Sequence, residues 1–203
     1  LYCASAGLAT VIRAWIDRDA IADVVELLEP EHFYKPAHSH IFEAILSLYG
    51  AGEPVDAVSV RFFMPSPQVA PYITTYYLTD FAVPEGQIVE DWLHPEWANL
   101  RIWDRAVCNA AVGAEELRPA PEMIGTGPTS LASHFQAGPA RAWGIGLLPQ
   151  GWARFVAAPA SQFADRFCDA QTDPAFVHLA PLLGRVFGKE ADPAAEAARL
   201  DAF

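Results

Sequence analysis

The hydrophobic period of this chain changes near residue 60, and that change limits the fold more than any other feature. Before it, apolar residues recur three and four positions apart, the period of a helix with one buried face. Ile21, Val24, Val25 and Leu28 make one such stripe, with Asp17 or Asp19 placed to cap it and Pro30 to stop it. Ile41, Ile45 and Leu48 make a second, beside Phe42, in a helix from about Pro36 to Tyr49, after which Gly50 and Gly52 end it. Pro54 breaks the pattern and Asp56 is placed to cap a third, short helix. After residue 60 the character is that of strands. Pro71 to Leu78 is β-branched and aromatic, Ala98 to Trp103 alternates, and RAVCNAAV and FQAGPARAWGIGLL continue the pattern between Pro and Gly breaks. Asp104 to Glu122 reads as a weak, irregular strand pair. From Pro149 onward the period is helical again, in three or four short helices, the last with Asp192 as N-cap and Pro193 as first helical residue. The expected class is α+β: a helical hairpin over 1–60, a small antiparallel β-barrel or sandwich over 61–150, and a helical segment over 151–203.

Composition narrows the function. The chain is 52% hydrophobic and 12% aromatic, which provides for a packed core and excludes a disordered chain. Its 203 residues carry 25 acidic against 13 basic side chains, a net charge of -12, and Lys35 and Lys189 are the only lysines. A field of that sign repels phosphate backbones, so no direct nucleic-acid contact is expected. Cys3, Cys108 and Cys168 stand far apart without C-x-x-C spacing, which fits a reducing cytoplasm and neither a metal knuckle nor a disulfide framework. The apolar start, LYCASAGLATVIRAW, lacks a basic region ahead of it and is soon interrupted by Arg13, Asp17 and Arg18, so neither a signal peptide nor a membrane span is expected. The first residue is Leu1 rather than Met, as in a fragment.

Two stretches resemble known families. Leu93-His94-Pro95-Glu96-Trp97, the turn Gly127-Pro128-Thr129, the run Gly144-Ile145-Gly146-Leu147-Leu148-Pro149-Gln150-Gly151 and the segment Ala160 to Arg166 come in the order and spacing of the N-terminal effector domain of AraC-family transcription regulators. The resemblance implies a cupin-like barrel that senses a small molecule, a helical linker or dimerisation segment, and then a helix-turn-helix unit, which this sequence does not include. Within residues 14–60, Pro30, Phe33-Tyr34, Pro36-Ala37-His38, Ile41-Phe42 and Gly52-Glu53-Pro54-Val55-Asp56 resemble part of the N-terminal domain of the replicative helicase DnaB. That resemblance implies a helical module that contacts neighbouring subunits and primase. No G-x-x-x-x-G-K-[ST] loop is present, so no ATPase is expected with it. Two partial modules meeting near Ser59 to Phe62 without linker composition read as a natural fusion or a chimera.

The candidate ligand-binding residues are His94, Glu96, Trp97, Trp103 and Trp143, the richest polar and aromatic group in the expected barrel, with Glu90 and Asp91 close by. The competing reading is a loop with a satisfied histidine and aromatics that simply pack. Trp143, Trp152, Tyr72, Tyr76 and Trp103 could together make an aromatic cage. His38-Ser39-His40 with Glu43 has metal-binding spacing for a strand, but at a helix start residues two apart point ~200° apart. With His134 and His178 isolated, no metal site is expected. No G-x-S-x-G elbow occurs, and neither a catalytic residue nor a cofactor is assigned. The expected partners are an unknown small effector and a second copy paired through the C-terminal stripe of Phe176, Val177, Leu182, Leu183 and Val186, with no membrane contact. The alternative function is a DNA-replication interaction module without a motor.

Overall fold

Residues 140–147, ARAWGIGL, alternate large and small side chains, and this one strand organises the larger part of the structure. The computed structural model describes residues 29–32, 39, 42, 43, 46, 58–105 and 108–203. The chain divides into two units, Leu1–Ser59 and Val60–Phe203. In the first, Pro30–His32 is a 3-10 turn, Ser39, Phe42, Glu43 and Leu46 are helical, and Phe42 is buried. The rest of the expected helical hairpin, with His38, His40 and the Asp56 cap, lies outside the described residues. Val58 to Val60 belong to a strand and not to the helix expected from Asp56; the run Val-Ser-Val suits a pleated surface better than a helical turn.

The second unit is built from two antiparallel sheets. One has the order β1 (Val58–Phe63), β2 (Ile73–Phe81), β9 (Ala140–Leu147), β4 (Asn99–Trp103), β7 (Met123–Thr126), β10 (Phe167–Asp169). The other has the order β3 (Val89–Leu93), β8 (Ser133–Ala137), β5 (Cys108–Val112), β6 (Arg118–Pro119). The expected weakness of residues 104–122 takes the form of the two-residue β6 and a turn at Gly113, whose φ of 64° favours glycine.

Because strand residues alternate faces, the register sorts the first sheet into two surfaces. Tyr76 pairs with Ile145 and Leu78 with Trp143; Leu100 and Ile102 meet the same two residues from β4. These large side chains form one buried surface with Met123. It is covered by the C-terminal segment, whose Phe176, Leu182, Val186, Ala197 and Leu200 complete the same core. The Phe176 ring lies on Gly125, where an added Cβ would come within 2.9 Å of it. The apolar stripe of the C-terminal segment is therefore largely spent inside the chain, although Val177 stays exposed.

That segment is less helical than its period suggests. Helix α1 (Pro149–Phe155) opens with Pro149 and buries Trp152, whose Nε1 donates to the Ala158 carbonyl at 2.7 Å. Ala160 to Arg166, expected to start a helix, instead makes a 3-10 turn at Ala160–Gln162 and runs into β10, where Phe167 pairs with Thr126. A 3-10 stretch, Val177–Leu182, contains Pro181 and leads into the short α2 (Leu183–Val186). Pro181 withholds an N–H donor, which explains why that stretch is not one regular helix. Helix α3 (Pro193–Asp201) begins as its cap predicts: Asp192 accepts from the Ala195 N–H at 3.0 Å, with Pro193 in the first turn.

Two acids of α3 tie it to the sheet. Glu196, fully buried, accepts from both terminal nitrogens of Arg141 (3.1 and 2.5 Å) and from Trp143 Nε1 (2.8 Å). Asp201 accepts from the Ser66 N–H (2.9 Å) and the Tyr76 hydroxyl (3.1 Å). A third acid, Asp165, sits at φ 54° and joins two of the motifs: it accepts from the Ser130 N–H, the Ser130 hydroxyl (2.9 Å) and the Leu131 N–H (3.2 Å).

Ser130 and Leu131 donating to it hold the Asp165 carboxyl below its ordinary value. Asp201 is lowered as well: burial alone would raise it, but the donors Ser66 and Tyr76 prevail. A carboxyl with a depressed folded-state pKa stabilises the fold fully above its unfolded pKa, and the contribution is lost as pH falls through the folded value. Urea midpoints are therefore expected to hold steady from about pH 7 to about pH 5 and to drop at lower pH. The Asp165→Asn/Asp201→Asn variant should start lower and fall less; an equal acid loss in both chains would contradict the assignment.

Candidate ligand-binding site

The opposite surface of the first sheet faces the second sheet. Phe81 on β2 stacks with Trp103 on β4 at 5.3 Å between ring centroids and meets Phe135 on β8 edge-on at 6.0 Å. On this side β9 presents only Ala140, Ala142, Gly144 and Gly146, so longer side chains from its neighbours can lie across it. Tyr77 and Arg101 both pair with Gly144, and the Tyr77 ring occupies the place an alanine Cβ would need. Arg101 Cζ is 5.9 Å from the Tyr77 ring centroid.

Arg101 is the centre of a polar group. Its Nη2 donates to both Glu96 oxygens at 2.6 and 2.8 Å, and its Nη1 donates to Asn99 Oδ1 at 2.7 Å. Asn99 is buried and donates from Nδ2 to the Trp97 carbonyl at 3.2 Å. The Gly127-Pro128-Thr129 turn fixes the carboxylate's loop. The Glu96 N–H donates to Thr129 Oγ1 (2.9 Å) and the Thr129 N–H to the Glu96 carbonyl (3.0 Å). Burial works against charge on Arg101, but Tyr77 and Glu96 beside it hold its pKa above the ordinary arginine value. Burial also raises the Tyr77 hydroxyl, so it stays protonated. The Cys108 thiol, on β5 of the facing sheet, is pushed up by burial to about 12 and stays neutral. Two side-chain donors of this surface, Tyr77 O–H and Trp103 Nε1–H, are buried without a partner among the described residues.

The five sequence-predicted residues fall in three places. Glu96 and Trp103 belong to this inter-sheet group. His94 and Trp97 lie on the exposed loop between β3 and β4, with Trp97 61% exposed. Trp143 is fully buried on the other side of β9, against Phe63 at 5.2 Å and Glu196. The five-membered aromatic cage does not form, because Trp143, Trp152 and Tyr76 join the C-terminal core while Trp103 faces the second sheet. Sequence reasoning missed Tyr77, Asn99 and Arg101. The available signal was the strand ANLRIW, where the charge of Arg101 alternates with the apolar Leu100 and Ile102 and so must point away from the core they enter.

Outside this space, Glu90 accepts from His134 (2.8 Å) and Gln136 (3.0 Å), and His134 stacks on Trp92 at 4.2 Å, all on the outer face of the second sheet. Among the described residues no group of three or more His, Cys, Asp or Glu stands where it could hold a metal ion. None of the described helices is long and apolar enough to cross a membrane.

Comparison with known proteins points to the other end of the chain. Residues 9–83 match the DnaB-like helicase N-terminal domain family. The replicative DNA helicase DnaB of Mycobacterium leprae is 58% identical over 45 residues, 22% of this chain and 8% of that helicase. The helicase of Leifsonia xyli is 49% identical over 45 residues, 22% of this chain and 10% of its own. That of Geobacillus stearothermophilus is 46% identical over 46 residues, 23% and 10%. The chain thus spans 8 to 10% of the length of these relatives. The family match runs to residue 83 and so takes in β1 and β2. Of these two strands, β2 lies wholly in the second unit, where it pairs antiparallel with β9.

Proposed function

We propose that the segment before residue 60 is a replication-type contact module, a piece of a helicase N-terminal domain that joins other proteins without a motor of its own. The identity of 58% over 45 residues to a replicative helicase carries this reading. The partners to test are the Mycobacterium leprae helicase and its primase. In sedimentation-velocity runs the full chain is expected to travel with one of them, and a Phe33→Ala/Tyr34→Ala chain to travel alone. A wild-type chain that sediments alone in both mixtures ends the reading.

A second reading concerns residues 60–203: an effector-sensing domain of the AraC type. What favours it is the surface between the sheets, where Tyr77, Asn99 and Arg101 stand at positions that close packing alone would fill with apolar side chains. On this reading the chain acts in the cytoplasm, binds a small molecule, touches neither DNA nor membrane itself, and catalyses nothing. Limited proteolysis should leave a stable fragment starting near residue 60. Degradation of the whole chain without such a fragment would show that the two parts do not fold as separate modules.

A further inference from the structure

We propose that the space between the two sheets binds a small, flat, uncharged molecule that offers a carbonyl-type oxygen to Tyr77 and Trp103 and rests its apolar ring among Phe81, Trp103 and Phe135. This rests on the reading of residues 60–203 as a sensing domain and adds the chemical class of what is sensed.

The surface has more donors than acceptors. Arg101 donates from Nη1 to Asn99 and from Nη2 to the two Glu96 oxygens. A guanidinium has five N–H donors, more than these two acceptors take up. Tyr77 O–H and Trp103 Nε1–H have no partner among the described residues, and Trp103 is only 5% exposed. All three side chains leave the sheet on one side, in adjacent rows: Tyr77–Gly144–Arg101 and Thr79–Ala142–Trp103. A buried donor left unpaired costs free energy, and an incoming acceptor recovers it. The ligand must therefore bring acceptors.

Charge selects among acceptors. Glu96 already neutralises Arg101 with both oxygens, so a second carboxylate would enter as an uncompensated buried charge, and a carbonyl oxygen would not. A cation would enter beside the Arg101 guanidinium, whose charge repels it and whose partner Glu96 is already engaged. The walls select shape. Ala140 and Ala142 on β9, and Ala137 and Cys108 on the facing sheet, are short, and the large groups between them are the rings of Phe81, Trp103 and Phe135. Stacked and edge-on ring contacts suit a flat apolar skeleton.

The test uses the full chain and four probes of one size: acetophenone, toluene, benzoate and benzylamine, each titrated calorimetrically. Acetophenone is expected to bind tightest. Tyr77→Phe removes the hydroxyl and keeps the ring. It should weaken acetophenone by about three- to tenfold, the worth of one neutral hydrogen bond, and leave toluene unchanged. Thermal stability of Tyr77→Phe should equal or exceed that of the parent, since an unpaired buried hydroxyl is lost. Benzoate or benzylamine binding tighter than acetophenone would overturn the ligand class while leaving a sensing domain in place. A Tyr77→Phe chain that melts lower would show the hydroxyl already partnered within the protein and would overturn the proposal. No binding by any probe would count against the proposal and the sensing reading together.

Discussion

Replacing Glu196 with alanine is expected to destabilise the second unit by about 3–5 kcal/mol, the range measured when one partner of a buried ion pair is removed. Glu196 is fully buried, and the Arg141 side chain that faces it is 18% exposed. Alanine would leave that guanidinium and Trp143 Nε1 without their acceptor in a low-dielectric core. Glu196→Gln keeps one acceptor oxygen and should lose less. The double change Arg141→Met/Glu196→Leu should recover much of the loss, because apolar pairs of similar volume replace buried ion pairs with little penalty. Chemical denaturation of the four chains decides the matter. If the double variant is no more stable than Glu196→Ala, packing and not the orphaned charge is responsible.

Phe176→Ala is expected to cost a similar amount, about 3–5 kcal/mol, through loss of apolar burial and the cavity left behind. The ring is fully buried and meets Trp152 and Phe163 edge-on at 5.7 and 5.4 Å. Its seat is Gly125 on β7, a residue with no side chain to collapse into the gap. Phe176→Leu refills part of the volume and should cost less. A loss below ~1 kcal/mol for Phe176→Ala would mean that the C-terminal segment is not held as described, since even small core truncations reach that size.

Much of this architecture could be read locally. The period change at residue 60, the strands around Tyr76, Ile102 and Trp143, and the Asp192-Pro193 start of α3 all follow from neighbours along the chain. What could not be read depends on distant pairs. Phe167–Asp169, Phe-Cys-Asp, is too short to show a period of its own, and only its pairing with β7 makes it a strand. Nothing near Glu196 announces that Arg141 will meet it, and Trp143 looks as fit for a ligand as Trp103 until β9 is placed in its sheet. Asp165 shows the same limit: at a left-handed φ it cannot begin a helix, yet its motif reads like a helix start.

The alternation of β9 has a mechanical consequence. Its small residues, Ala142 and Gly144, form the floor beneath Tyr77 and Trp103, and the residues between and beside them, Arg141 and Trp143, carry the grip on α3. One backbone therefore carries packing contacts on both of its faces, and a shift on one face is felt on the other. By thermodynamic reciprocity, a molecule that tightens or loosens the hold on Glu196 when it settles beside Tyr77 and Trp103 will have its own affinity changed by the same factor when α3 is released.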